Sequence, residues 1–155
     1  EIYTLSLHDA LPILAYLMYS NAPQTGGKQP WNQKYLLQNI IETADTVTKP
    51  QVSLRFGHDT VVLPLLCMMD IDGSAVQVED LNELENSFRS YQLIPTGCNV
   101  QLVFYRPKKN KDGEKLVKVL FNERESHLPI ATDTWPYYRW KDVREYYLNK
   151  LAEHK

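Results

Sequence analysis

The stretch Val52-Ser53-Leu54-Arg55-Phe56-Gly57-His58-Asp59-Thr60-Val61-Val62-Leu63-Pro64-Leu65-Leu66-Cys67-Met68-Met69 decides how this chain is read. Val52, Leu54 and Phe56 recur at period two, with a β-branched and an aromatic side chain among them, which predicts a short strand. Val61 to Met69 is a continuous apolar run and predicts a buried helix, with Pro64 confined to about its first turn. Gly57-His58-Asp59-Thr60 is the switch between them. Such a switch puts His58 and Asp59 at the carboxyl end of a strand and the positive end of a helix. Open α/β sheets bind ligands there, and a phosphate gains from free N–H groups and the helix dipole. Gly57 lets backbone approach a ligand closely. The competing reading is local: Asp59 or Thr60 caps the helix, and His58 fills a polar rim.

The elements on either side follow from the same periodicities. Ser20 to Trp31, SNAPQTGGKQPW, is a loop by its Gly, Pro, Ser and Asn density. Trp31 or Asn32 then opens a helix with Leu36, Leu37, Ile40, Ile41, Ala44 and Val47 on one face. Lys49-Pro50 breaks it before the strand. The apolar helix is expected to stop near Asp72-Gly73, with Gly73 left-handed. Val76 to Asn86 is polar and assigns to no element. Asn99 to Arg106 alternates as a strand, and Lys115 to Asn122 returns. The charged loop Pro107 to Lys115, PKKNKDGEK, joins them with an Asp112-Gly113 turn signal. Trp140 to Leu151 closes the chain as a helix with Trp140, Val143, Tyr147 and Leu151 on its apolar face. The order α-β-α-β-β-α predicts an α/β layer with a β-hairpin at the sheet edge and a C-terminal helix.

Composition narrows the class. The chain has 155 residues, 43% hydrophobic and 23% charged, which suits one soluble globular domain with a core. A formal charge of −2 supplies no basic field, so nucleic acid is not an expected partner. No apolar run is long enough to span a bilayer, so no membrane is expected either. Cys67 and Cys98 are too few for a disulfide scaffold, and Cys67 reads as a small packed hydrophobe. His8, His58, His127, His154 and the cysteines show no metal-ligand spacing, so metal-free chemistry without a cofactor is expected.

The stretch Arg55-Phe56-Gly57-His58-Asp59-Thr60 resembles the C-terminal signature of the histidine acid phosphatases, clade 2 of the histidine phosphatase superfamily. It is similar to the multiple inositol polyphosphate phosphatase and phytase-like branch of Bacteroidetes type. The resemblance extends to Leu36–Asp45 before the switch, and to Asn99–Arg106, Leu116–Glu125 and Pro136–Trp140 after it. It covers the chain from about Leu14 onward. It implies residues 14–155 as the C-terminal part of a single partial three-layer α/β sandwich of the histidine phosphatase type. It also implies a small-molecule phosphate ester as substrate, a phosphohistidine intermediate and a periplasmic or secreted location.

Residues 1–13, EIYTLSLHDALPI, are set apart. They resemble the conceptual translation of a common DNA sequencing-library adapter. On that reading the authentic protein begins upstream, and the missing N-terminal part of the same chain is a partner of this one. The segment has no basic n-region and is broken by His8 and Asp9, so it is not a signal peptide. The pair His8-Asp9 has the letters of the motif but no preceding Gly or strand. The alternative is an ordinary N-terminal helix built on Leu5, Leu7, Leu11, Ile13, Leu14 and Leu17.

The family's nucleophilic histidine lies in an Arg-His-Gly-x-Arg motif, and no Arg-His-Gly occurs in this sequence. The resemblance assigns the other half of the site. His58 would hydrogen-bond a phosphoryl oxygen, Asp59 would protonate the leaving alcohol, and Thr60 would contact the substrate phosphate or serve only as a cap. An alkoxide leaves poorly, so an acid must be at hand as the ester bond breaks. A carboxyl beside a bound phosphate has its charged form disfavoured and can hold that proton. An imidazole there is pushed toward imidazolium, which stabilises charge on the transferred group.

Weaker candidates get structural readings. Arg55 points toward a neighbouring helix rather than a substrate. Lys108, Lys109, Lys111 and Lys115 are a solvated charge run. Tyr137, Tyr138, Trp140, Tyr146 and Tyr147 are core or a surface seam. Glu123-Arg124-Glu125 is an exposed strand end, and His127 and His154 are surface residues. Two functions therefore compete: a histidine acid phosphatase carrying only this half of its site, and a non-catalytic α/β binding or interaction domain. The upstream reading frame separates them, since only the first requires an Arg-His-Gly-x-Arg motif there.

Overall fold

A computed structural model describes residues 30–76, 84–108 and 113–153. The N-terminal segment with His8-Asp9, most of the polar stretch after Val76, the hairpin tip with Lys109, Lys111 and Asp112, and His154 lie outside the described residues. A 3-10 turn, Pro30–Gln33, leads into helix α1, Lys34–Thr46. Its buried stripe is Leu37, Ile41 and Ala44, with Leu36 and Ile40 partly covered, as the spacing predicts. Helix α2, Asp59–Met69, is buried without a break from Leu63 to Met69. A helix apolar all round belongs at the centre of a core, and α2 is that centre.

Pro64 falls in the second turn of α2, where it supplies no N–H to the Thr60 carbonyl. The helix stops earlier than the sequence suggests. Asp70 takes the left-handed conformation at φ 53°, and its N–H caps the Cys67 and Leu66 carbonyls. Gly73 is left-handed too, at φ 74°, but it closes the following 3-10 turn, Ile71–Gly73, rather than the helix.

Two short helices, α3 (Leu84–Ser87) and α4 (Ser90–Leu93), precede the sheet. Strands β1 (Val100–Tyr105) and β2 (Leu116–Phe121) form the expected hairpin, registered from Val100↔Phe121 to Tyr105↔Leu116. The other edge of β2 is shared. Strand β3 (Arg124–Glu125) takes its Leu120–Phe121 end, and β4 (Tyr137–Arg139) takes Leu116 to Lys118. Asn122 (φ 47°) and Glu123 (φ 65°) make the two-residue turn into β3. Among the described residues all pairings are antiparallel, with β1 at one edge of the sheet and β3 and β4 at the other. Val117 and Val119 of β2 are fully buried.

Helix α5, Trp140–Glu153, buries Trp140, Val143, Tyr147 and Leu151, the face read from the sequence. It ties the other two long helices together. Trp140 Nε1 donates to Asp45 Oδ1 of α1 at 2.9 Å, and Tyr147 Oη donates to the Met69 carbonyl of α2 at 2.7 Å. Lys150 Nζ donates to the Met68 carbonyl, also at 2.7 Å. Two cations finish the C-terminus of α1: Lys115 Nζ donates to the Ala44 carbonyl at 2.6 Å, and Arg106 to the Val47 carbonyl. Lys115 is thus no solvated turn residue. It lies half-buried over Phe104 and Trp140, and loss of solvent and the Arg106 charge push its ammonium below the ordinary range. Helices and an antiparallel sheet enclose one core, a partial α/β fold with the hairpin at its edge.

The predicted strand from Val52 to Phe56 does not form. Residues 51–58 carry no strand assignment, and each of them is exposed. Val52, Leu54 and Phe56 are 82%, 72% and 92% accessible. The alternation is present, but a strand exists only when its N–H and C=O groups meet a partner. Among the described residues none pairs with this segment.

Candidate functional site

The three residues the sequence singled out lie together where the extended segment enters α2. His58 is the N-cap residue by backbone, at φ −94° and ψ 167°, and its carbonyl accepts from Val61 N–H at 2.9 Å and Val62 N–H at 3.1 Å. Its imidazole makes no capping bond. Asp59 is the first helical residue, and its Oδ1 accepts the Thr60 N–H at 2.8 Å. The contact of Thr60 is through its backbone. The helix end therefore offers fewer free N–H groups than the switch suggests, because those of Thr60, Val61 and Val62 are engaged. What remains available is side-chain chemistry. His58, Asp59 and Thr60 are all exposed, so an imidazole and a carboxyl stand on adjacent residues open to solvent.

Gly57 is not demanded by the local backbone. A Cβ there would meet Val61 side-chain atoms at 3.6 Å, an ordinary contact. A cavity of about 380 Å³ between Ile130, Thr132, Asp133, Tyr138, Arg139 and Asp142 includes none of the three candidates.

Arg55 points where the sequence reading put it, toward α1. Its Nη2 donates to Asn39 Oδ1 and Thr43 Oγ1, each at 2.8 Å, and its Nη1 donates to Ser53 Oγ at 3.2 Å. Cys98 is a neighbour the sequence did not suggest. Partial burial and then the Asp59 charge push its thiol up, so Asp59 and Cys98 lie within electrostatic reach. Gly97, at φ 78°, and the Cys98 N–H to Pro95 carbonyl bond shape the turn that precedes β1. Nothing local in Thr96-Gly97-Cys98 marks this proximity.

Cys67 is 6% exposed, burial first and the Asp70 charge second push its thiol up to about 12, and both cysteines are free. His127 is a surface residue, but it has partners. Its backbone N–H donates to Asp72 Oδ1 at 2.7 Å, and its ring stacks on Trp135 with centroids 5.1 Å apart. Among the described residues no cluster of His, Cys, Asp and Glu is suited to hold a metal ion, and no helix is long and apolar enough to cross a membrane.

No family model matches the chain. Similarity to a curated protein does run through it, and that protein is a phosphatase. It is the human multiple inositol polyphosphate phosphatase 1, 25% identical over a 149-residue alignment that covers 80% of this chain. The chain spans 30% of the length of this relative.

Proposed function

We propose that this chain is the C-terminal part of a phosphomonoester hydrolase of the histidine acid phosphatase type, acting on inositol polyphosphates or similar esters. The observation that carries the proposal is the similarity to a phosphatase over 80% of this chain, and the exposed His58-Asp59 pair at the start of a buried helix supports it. The chain contains no Arg-His-Gly, so the nucleophile belongs to a preceding part of the same polypeptide. In the assembled site its imidazole nitrogen bonds to phosphorus as the ester P–O bond breaks. His58 donates a hydrogen bond to a phosphoryl oxygen, and Asp59 gives its proton to the departing alkoxide. Water then attacks the phosphohistidine, its proton passes to the Asp59 carboxylate, and inorganic phosphate leaves. Thr60 lines the phosphate position, and no metal or cofactor takes part.

A second reading has one observation in its favour. Asp59 already accepts the Thr60 N–H, which is what a helix-terminal carboxylate does in a non-catalytic binding domain. The reading frame upstream of Leu14 in the genome decides between them. An Arg-His-Gly-x-Arg motif there, and an intact product that hydrolyses phytate and p-nitrophenyl phosphate, is the expected result. A start codon just before Leu14 with no such motif, or turnover by the 155-residue chain alone, overturns it.

A further inference from the structure

The segment that carries the candidate site is held in an unusual way. Residues 51–60 are all exposed, so apolar burial does not fix them. No strand among the described residues pairs with them. The side-chain link to a rigid element is Arg55, whose guanidinium bridges Asn39 and Thr43, one turn apart on the same face of α1. The Thr43 hydroxyl gives its proton to the Asn39 carbonyl at 2.7 Å, which leaves its lone pairs directed at Arg55. A third oxygen, from Ser53, completes a cradle of neutral acceptors. Among the described residues no carboxylate pairs with Arg55. The receiving helix is firmly seated through Leu37, Ile41, Ala44 and the contacts of Asp45 with α5.

We infer that Arg55 is a positioning residue, locking the His58-Asp59 switch to the face of α1 formed by Asn39 and Thr43. The inference rests on the phosphatase reading for its catalytic consequence and on geometry alone for the clamp. The His58 carbonyl, bonded to the Val61 and Val62 N–H groups, fixes the switch on its helix side, and Arg55, three residues earlier, fixes it on the approach side, so loosening the guanidinium frees the one end of the switch that α2 does not hold. A planar fork reaches two acceptors at once, and a lysine ammonium on a flexible stem does not reproduce it. Misplacement by about 1 Å costs on the order of 10²-fold in rate.

Two experiments test this separately. In the 155-residue chain, heteronuclear NOEs of residues 53–58 should fall in Arg55→Lys and in Asn39→Ala/Thr43→Val, while those of α1 and α2 hold. Unchanged values in both variants overturn the clamp. In the intact phosphatase, both variants should lower kcat by about 10- to 100-fold while inhibition by inorganic phosphate stays within about threefold. If Asn39→Ala/Thr43→Val keeps wild-type kcat while Arg55→Lys weakens phosphate inhibition, Arg55 touches the substrate and the positioning role is wrong. A wild-type product without phosphatase activity sinks the functional reading, and the NOE measurement still decides the clamp.

Discussion

Arg144 donates its Nε–H to Asp45 Oδ2 at 2.7 Å, joining α5 to α1 across 99 positions of sequence. Partial burial pushes the Asp45 carboxyl up, but hydrogen bonds from Arg144 and Trp140 and the nearby charges outweigh it. The carboxyl sits below its ordinary 3.8. A carboxylate so depressed adds stability that is present above its unfolded pKa and lost as pH falls through the folded one. Asp45→Asn should therefore cost about 0.5–1 kcal/mol at neutral pH, the low end because both partners are solvent-exposed. That is a melting shift of roughly 1–4 °C, followed by circular dichroism. The gap between wild type and variant should close as pH drops below about 4. A gap that stays constant down to strongly acid pH would remove the Asp45 charge from the account.

Cys98 reports on Asp59 without any assay of activity. Its thiol is pushed up by burial and then by the Asp59 charge. Asp59→Asn removes only the second cause. Alkylation of Cys98 by iodoacetamide at mildly alkaline pH should then quicken a few-fold, short of the roughly tenfold that one full pKa unit gives. Cys67, buried in α2, should stay unlabelled in the folded protein of both forms. Peptide mass spectrometry reads both sites. Equal Cys98 rates in wild type and Asp59→Asn would mean that the two groups do not sense each other.

Val52, Leu54 and Phe56 present an apolar face that the described residues leave uncovered. An unpaired, alternating hydrophobic segment promotes association between chains. Leu54→Lys in the 155-residue chain should raise solubility and leave the melting temperature nearly unchanged, since exposed substitutions stay within about 0.5 kcal/mol. In the longer protein of the proposed function the same change should destabilise by about 2 kcal/mol or more, because there the face is expected to be covered. Light scattering and thermal melts of both forms check it. A large loss of stability in the short chain would show that Leu54 is already packed.

How much of this was legible depended on how local the determinant is. The hairpin was readable because Val100–Tyr105 and Leu116–Phe121 alternate and lie close in sequence. The stripes of α1 and α5 were readable because helical period alone selects Leu37, Ile41 and Ala44, or Val143, Tyr147 and Leu151. The strand at Val52 was misread for the converse reason, because its pattern is local but its partner is not. Lys115 on the Ala44 carbonyl and Lys150 on the Met68 carbonyl are 71 and 82 positions from their targets, and Lys115 reads in the sequence as part of a solvated charge run. His58 and Asp59 are legible as candidates by their letters alone. Their lack of cover, the engaged N–H of Thr60 and the neighbouring Cys98 depend on tertiary placement that no local pattern encodes.

The role of Asp59 makes the most demanding prediction. On the proposed function, Asp59→Asn in the longer protein should slow hydrolysis of phytate far more than that of p-nitrophenyl phosphate. An inositol alkoxide needs a proton in the transition state, whereas p-nitrophenolate leaves nearly unaided. General acid contributions of about 10²- to 10⁴-fold set the expected difference between the two substrates. His58→Ala should harm both alike, because charge on the transferred phosphoryl group must be stabilised whatever leaves. Asp9→Asn, in the other His-Asp pair, should change neither. The comparison of kcat/KM on the two esters, with circular dichroism to verify the fold, separates acid from cap. Asparagine keeps an oxygen that can still accept the Thr60 N–H, so a capping role survives the substitution and a proton-donating role does not. If Asp59→Asn lowers both substrates equally with the fold intact, Asp59 orients the helix end and the proton comes from elsewhere.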